Sequence, residues 1–118
     1  MKKNRVGLKV FGILMIIIAA ITALAIAFCI TILPILKYNT AIKNAEKGNY
    51  ALAVKGLYKM DYKNSEELLQ EYAFEAGKDI LENGDKKSAN VYFAIAATNG
   101  FDPDIEKEAY RLYEETKE

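Results

Sequence analysis

Residues 10–36 run for 27 positions without a charge, and all are apolar except Gly12, Thr22, Thr31 and Pro34. A helix needs roughly 20 apolar residues to cross a bilayer core, so this block is long enough to span with some tilt. A cleaved leader would have an apolar stretch of about 7–15 residues and then a small-residue cleavage site. Ala25-Ile26-Ala27 supplies such a site, but residues 28–36 stay apolar beyond it, which predicts an uncleaved anchor. A lipoprotein signal would place a small residue before Cys29, and Phe28 stands there.

After residue 37 the apolar positions recur at helical spacing, with no clear alternating run. Tyr38, Ala41, Ile42 and Ala45 form one stripe, and Tyr50, Ala53, Val54 and Leu57 a second. Leu69, Tyr72, Ala73, Ala76 and Ile80 form a third, Ala89, Tyr92, Phe93 and Ala96 a fourth, and Ile105, Ala109 and Leu112 a fifth. Turn residues separate them at Gly48-Asn49, Asp61-Tyr62-Lys63, Asn83-Gly84 and Asn99-Gly100-Phe101. Asn64 with Glu67 fits a capping box, and Asp102-Pro103 places a capping carboxylate before a proline at the first helical position. The pattern predicts five short helices near 37–47, 50–60, 65–82, 85–98 and 103–116. Residues 88–101 carry no charge. They are too few for a second span and predict a central helix covered on most sides, with a partner-facing surface as the functional alternative. Glu67, Glu71, Glu75 and Asp79 make an acidic ridge at i, i+4 spacing. It reads as a solvated face, or as a surface for a basic partner, or as one that avoids anionic lipid.

Charge gives the apolar block a direction. The chain has sixteen basic and sixteen acidic residues, but Lys2, Lys3, Arg5 and Lys9 precede the block without an acid. Residues 37–118 hold the other twelve basic side chains and all the acids, a net charge of −4. The positive-inside rule then puts residues 1–9 in the cytoplasm as a basic tail, residues 10–36 across the cell membrane, and residues 37–118 outside. Within the span Ala19, Ala23 and Ala27 fall at i, i+4, i+8, a candidate packing face for a homo-oligomer. Five of the nine residues 19–27 are alanine, so composition alone produces the same spacing.

The residue types exclude much chemistry. There is no histidine, and the single cysteine lies inside the apolar block, so an intrachain disulfide or thiolate metal site cannot form. Asp102, Asp104 and Glu106 lack a calcium loop's glycine and distal glutamate and read as a helix N-terminus. Glu66-Glu67 and Glu114-Glu115 are adjacent exposed carboxylates, unlike an acid/base pair in differing environments. No phosphate-binding loop motif occurs, and the acidic balance of residues 37–118 argues against nucleic acid. No catalytic activity, metal or cofactor is expected.

The helical region also repeats itself. A shift of 36 lays Gly48 on Gly84, Asn49 on Asp85, Ala53 on Ala89 and Leu57 on Phe93. Gly77, Gly84-Asp85, Ala89, Phe93 and Ala96 form G-x6-G-D-x3-A-x3-F-x2-A, which resembles the tetratricopeptide repeat, with Pro103 near where that repeat often ends. Ala41, Gly48-Asn49-Tyr50, Ala53, Leu57 and Met60 make a weaker first copy. The stretch Asp61-Tyr62-Lys63-Asn64-Ser65-Glu66-Glu67-Leu68-Leu69 resembles the D-Y-K-D-S turn of such repeats in membrane-anchored proteins of Gram-positive bacteria, with Asn64 for the second Asp. The resemblance covers most of residues 38–103. The usual early aromatic is shifted or missing, and the groove lysines and asparagines of peptide-tail-clamping members are not recognisable, so ligand type does not carry over.

The apolar block and the helical spacing, taken with the resemblance, predict an all-α chain, one N-terminal transmembrane helix followed by what the resemblance implies is a short tetratricopeptide-like α-solenoid of about five helices. The resemblance implies a membrane-anchored scaffold or adaptor that binds a protein or peptide in a groove lined by Tyr38, Ile42, Phe74, Lys78 and Leu81. Two repeats fall short of the roughly three that an isolated array needs, so a partner or self-association would complete the packing. The alternative is a small membrane-active or regulatory protein whose span acts in the bilayer and whose outer helices regulate it.

Overall fold

The computed structural model describes the backbone of residues 2–117 and the side chains of residues 7–117. Among the described residues there are six helices and no strand: α1 (Lys2–Thr31), α2 (Leu33–Glu46), α3 (Tyr50–Leu57), α4 (Ser65–Glu82), α5 (Lys86–Thr98) and α6 (Pro103–Thr116). They fall into two compact units, Met1–Pro34 and Ile35–Glu118.

The first unit holds α1, which carries the helical stretch long and apolar enough to cross a membrane. Its 30 residues rise about 45 Å at 1.5 Å each, more than the hydrocarbon core of a bilayer. The two hydroxyls in the apolar stretch are satisfied within the helix. Thr22 Oγ1 donates to the Ile18 carbonyl at 2.8 Å, and Thr31 Oγ1 donates to the Ala27 carbonyl at 2.7 Å. The helix breaks earlier than the apolar pattern predicts: Ile32 is a turn and α2 begins at Leu33, not near 37. Pro34 supplies the reason. It has no amide hydrogen for the Ile30 carbonyl, and its ring crowds the preceding turn.

In the second unit every predicted stripe turns inward. Tyr38, Ala41 and Ala45 of α2, Ala53, Val54 and Leu57 of α3, and Leu69, Ala73 and Ala76 of α4 are buried. So are Ala89, Phe93 and Ala96 of α5, and Ala109 and Leu112 of α6. Helix α4 packs on α3, α5 and α6, and α5 packs on α6. The core has two clusters, one centred on α2, α3 and α4 and one around Ala89, Phe93 and Leu112, and Phe74 packs against both.

The 36-residue repeat is present in the backbone. Gly48 and Gly84 end their helices at φ +82° and +86°. Gly48 N–H donates to the Ala45 carbonyl (3.0 Å) and Asn49 N–H to that of Asn44 (2.8 Å). Gly84 and Asp85 make the same two bonds to Leu81 (2.9 Å) and Ile80 (3.3 Å). Both turns thus close as Schellman motifs. One turn further on, Ala53 and Ala89 are fully buried where helices cross, and Leu57 and Phe93 are fully buried beside them. A Cβ at Gly84 would meet nothing within 4 Å, so the penalty of substitution is purely conformational. Gly84→Ala is expected to cost about 1–2 kcal/mol in a urea titration of the full chain in detergent micelles. A variant as stable as the parent would mean that the turn is not held left-handed.

Two helix starts carry side-chain caps, the expected one at Asp102 and a further one at Asp85. Asp102 accepts from the N–H groups of Asp104 (3.0 Å) and Ile105 (3.4 Å) ahead of Pro103, and Asp85 accepts from Ser88 N–H (3.0 Å). The predicted box of Asn64 with Glu67 is not formed. Asn64 Oδ1 instead accepts from the Tyr38 hydroxyl, a tie back to α2. Ser65 organises that turn by donating to the Met60 carbonyl (2.8 Å) and accepting from Tyr62 N–H (3.2 Å). Helix α3 ends at Leu57 and not near 60, followed by Lys59 and Lys63 in the left-handed region at φ 60° and 49°.

A buried amide fastens the turn between α5 and α6. Gln70 is fully buried on α4. Its Nε2 donates toward the carbonyls of Ala96 (3.2 Å), Asn99 and Asp102 (3.2 Å), while its Oε1 accepts from Asp102 N–H at 2.8 Å. Asn99 Nδ2 donates to the Glu66 carbonyl at 2.8 Å. At the other end of α6, Asn90 Nδ2 donates to the Tyr113 carbonyl (2.8 Å) and to Thr116 Oγ1 (3.1 Å). Among the described residues no buried side-chain nitrogen or oxygen lacks a hydrogen-bond partner.

Candidate functional site

The five residues expected to line a groove sit at different depths. Tyr38 is buried, with its ring edge-on to Tyr62 at 5.3 Å and its hydroxyl held by Asn64. Ile42 and Leu81 are half-buried, each against one of the core clusters. Phe74 lies 6.3 Å from Phe93 by ring centroids and is covered by Lys78, whose ammonium stands 4.6 Å from the ring. Lys78 also pairs with Glu75 at 2.8 Å. Phe74 and Lys78 therefore form one half-exposed contact point, while Tyr38, Ile42 and Leu81 mainly complete the packing. The 36-residue shift relates Tyr38 to Phe74 and Ile42 to Lys78, so four of the five are two pairs of equivalent positions.

In the first unit Ala19, Ala23 and Ala27 are exposed along α1. Lys9 is exposed, and the side chains of Lys2, Lys3 and Arg5 lie outside the described residues.

Charge is divided between helices of the second unit. Helices α2, α3 and α5 together carry five lysines and one acid, Glu46. Helices α4 and α6 carry eleven acids against Lys78, Lys107 and Arg111. On α6, Arg111 is held between Glu108 and Glu115. Its hydrogen bond holds the Glu108 carboxyl below the ordinary carboxylate range, and the two carboxylates raise the guanidinium's pKa further. Such solvent-exposed pairs add little stability, so their effect is to set surface charge. Burial, with Glu71 next in weight, pushes the Tyr72 phenol up, and its ring packs 6.0 Å from that of Tyr50. The carboxylates of the Asp102–Asp104–Glu106 cluster start a helix as expected, and no group of three or more potential metal ligands occurs among the described residues.

The uncharged stretch 88–101 forms a helix covered on most sides, as expected, but one strip of it stays open. Val91 is 57% exposed, and with Tyr92, Ala94 and Ile95 it forms one wall of a cleft of about 710 Å³. Leu52, Lys55 and Tyr58 of α3 form the opposite wall, and Tyr113 closes part of the edge. The open face is narrow: Tyr92, Ile95 and Ala97 also pack partly against the core, and Asn90 is bonded to α6, which leaves Val91 exposed. A second cleft, of about 330 Å³, runs between α2 and α3 and shares Leu52 and Lys55 with the first. Periodicity could have shown the open face, because Val91 stands two residues from both Ala89 and Phe93, about 200° round the helix from each. Gln70, Ser65 and Asn90 had no comparable signal, since a polar residue on a helix is read as solvent-facing until its partners are known. No family model, curated protein or solved structure matches this chain.

Proposed function

We propose that the chain is a membrane-anchored adaptor, in which α1 spans the cell membrane with its basic end in the cytoplasm and the helical unit outside binds a protein or peptide. In this reading α2 to α6 are a short tetratricopeptide-like array, two helix pairs and a closing helix. The observation that carries it is the repeated turn: Gly48 and Gly84, 36 residues apart, share a left-handed φ and the same pair of closing hydrogen bonds. The buried alanine and bulky residue follow each at the same distance. Stacked helix pairs of this kind present side chains of their first helices along one surface, which suits recognition better than catalysis. Phe74 and Lys78 are the contact point on that surface, flanked by the acidic ridge of α4, and the partner is expected to be basic.

A photo-reactive benzoylphenylalanine in place of Phe74 or Lys78, irradiated in cells, tests this. The adaptor should yield a discrete protein adduct that is lost when the same residue is placed at Val91. Adducts with lipid alone from Phe74 and Lys78 would rule the groove out.

A further inference from the structure

We propose that the face of the helical unit formed by α3 and α5 rests on the lipid bilayer, leaving the acidic helices α4 and α6 turned to water. The inference goes beyond the adaptor reading but rests on its premise that α1 is a membrane span.

Exposure points to this face first. Seven large apolar side chains of the Ile35–Glu118 unit are exposed: Ile35, Leu36, Leu52, Tyr58, Val91, Phe101 and Tyr110. Leu36, Leu52, Tyr58 and Val91 line the two adjoining clefts, which makes them a connected surface and not scattered residues. Leu36 is also the last residue of the uncharged run that contains the apolar part of α1. The apolar surface is thus continuous along the chain with the segment that crosses the membrane, with no polar linker between them. A bilayer held at that distance is present at high effective concentration, ahead of any partner that must diffuse to it.

Charge selects lipid as the occupant. The charged residues lining the two clefts are Lys37 and Lys55, and neither cleft contains an acid. Apolar side chains, tyrosines and lysines form the residue set that settles at a membrane interface, rings at headgroup depth and ammonium groups at the phosphates. The eleven acids on α4 and α6 would be repelled by anionic headgroups, which favours the orientation with those helices outward.

The chain has no tryptophan, so one introduced tryptophan reports a single place. Val91→Trp, Tyr58→Trp, Lys107→Trp and Ile17→Trp would each be made in the full chain. Each would be placed in vesicles of phosphatidylcholine and phosphatidylglycerol, with brominated acyl chains as the lipid quencher and acrylamide as the aqueous one. Val91, Tyr58 and Lys107 are exposed, and a parent-like far-UV spectrum is required of every variant. Bromolipid should quench Val91→Trp and Tyr58→Trp severalfold more than Lys107→Trp on α6, and acrylamide should do the reverse. If acrylamide alone reaches Val91→Trp and Tyr58→Trp while bromolipid quenches Ile17→Trp, the proposal is overturned and the span stands. If Ile17→Trp is also open to acrylamide, both are overturned. Shielding of Val91→Trp and Tyr58→Trp from both quenchers would mean that protein covers the face, and would overturn the lipid assignment.

Discussion

Replacing Gln70 with glutamate is expected to destabilise the helical unit by about 3–5 kcal/mol at neutral pH, because the change puts an uncompensated charge in the core. The side chain is fully buried, and its amide nitrogen faces the carbonyls of Ala96, Asn99 and Asp102. A carboxylate there would turn an oxygen toward three carbonyl oxygens. Burial and those dipoles would raise the carboxyl's folded pKa above its unfolded value of about 4.3. A raised folded pKa means that the protonated acid's contribution is present below the unfolded value and is lost as pH rises through the folded one. The penalty for Gln70→Glu therefore shrinks in acid, though not to zero, since a protonated acid donates one hydrogen where the amide donates two.

Gln70→Leu separates charge from hydrogen bonding. It keeps the volume but leaves three carbonyls and the Asp102 N–H without their side-chain partner, at about 1–3 kcal/mol for each group left dry. That loss has no comparable pH dependence. Urea titrations of the parent and both variants in detergent micelles, at about pH 4 and about pH 7, distinguish the two effects. A Gln70→Glu chain as stable as the parent at neutral pH would mean that the site is wet and that the network does not hold the turn.

The second large effect is expected where Phe93 of α5 packs over Gly77 of α4. A Cβ on Gly77 would stand 2.6 Å from Phe93 Cε1, 2.8 Å from Cδ1 and 3.0 Å from Cζ. An alanine in a helix interior normally gains about 1 kcal/mol over glycine. Here the clash reverses the sign, and Gly77→Ala should lose about 1–3 kcal/mol. Phe93→Ala, which empties a fully buried site, should lose about 3–5 kcal/mol. The decisive case is the double variant Gly77→Ala with Phe93→Leu. The smaller side chain makes room, so a favourable coupling of about 0.5–3 kcal/mol should appear in a double-mutant cycle. Strict additivity would show that the two residues do not touch.

Most of the helical skeleton could be read from residue order, because turn residues and capping groups act locally. Gly48, Gly84 and Asp102-Pro103 each determine a boundary within their own few residues, and the helices they bound lie where the pattern places them. What escaped were boundaries and contacts decided elsewhere in the chain. Asn64 has the sequence of a helix cap, but Tyr38, 26 residues earlier, takes its side chain as an acceptor. Lys59 and Lys63 adopt positive φ without any residue type that announces it. The break at Ile32 is hidden because hydropathy does not register the missing amide hydrogen of Pro34. For the candidate site, the repeat related Tyr38 to Phe74 and Ile42 to Lys78, but depth was not legible. Whether an apolar side chain at a given helical position is plugged or open depends on the neighbour's side chains, as Val91 shows by standing exposed within the uncharged stretch 88–101.

Helix α6 is gripped at both ends by side chains from other helices, Gln70 at its entry and Asn90 at its exit. In a stack where neighbours supply most of the packing, the last helix is ordinarily the first to fray, one turn at a time. Here the entry cannot loosen without stranding the buried Gln70 amide, and the exit must break both bonds of the half-buried Asn90. The last helix should therefore detach in a single cooperative step and not by gradual peeling. A pull or a protease acting on the residues after α6 then meets a latch with two fastenings, so the far end of the helical unit should exchange its amides and yield to cleavage on the timescale of the core.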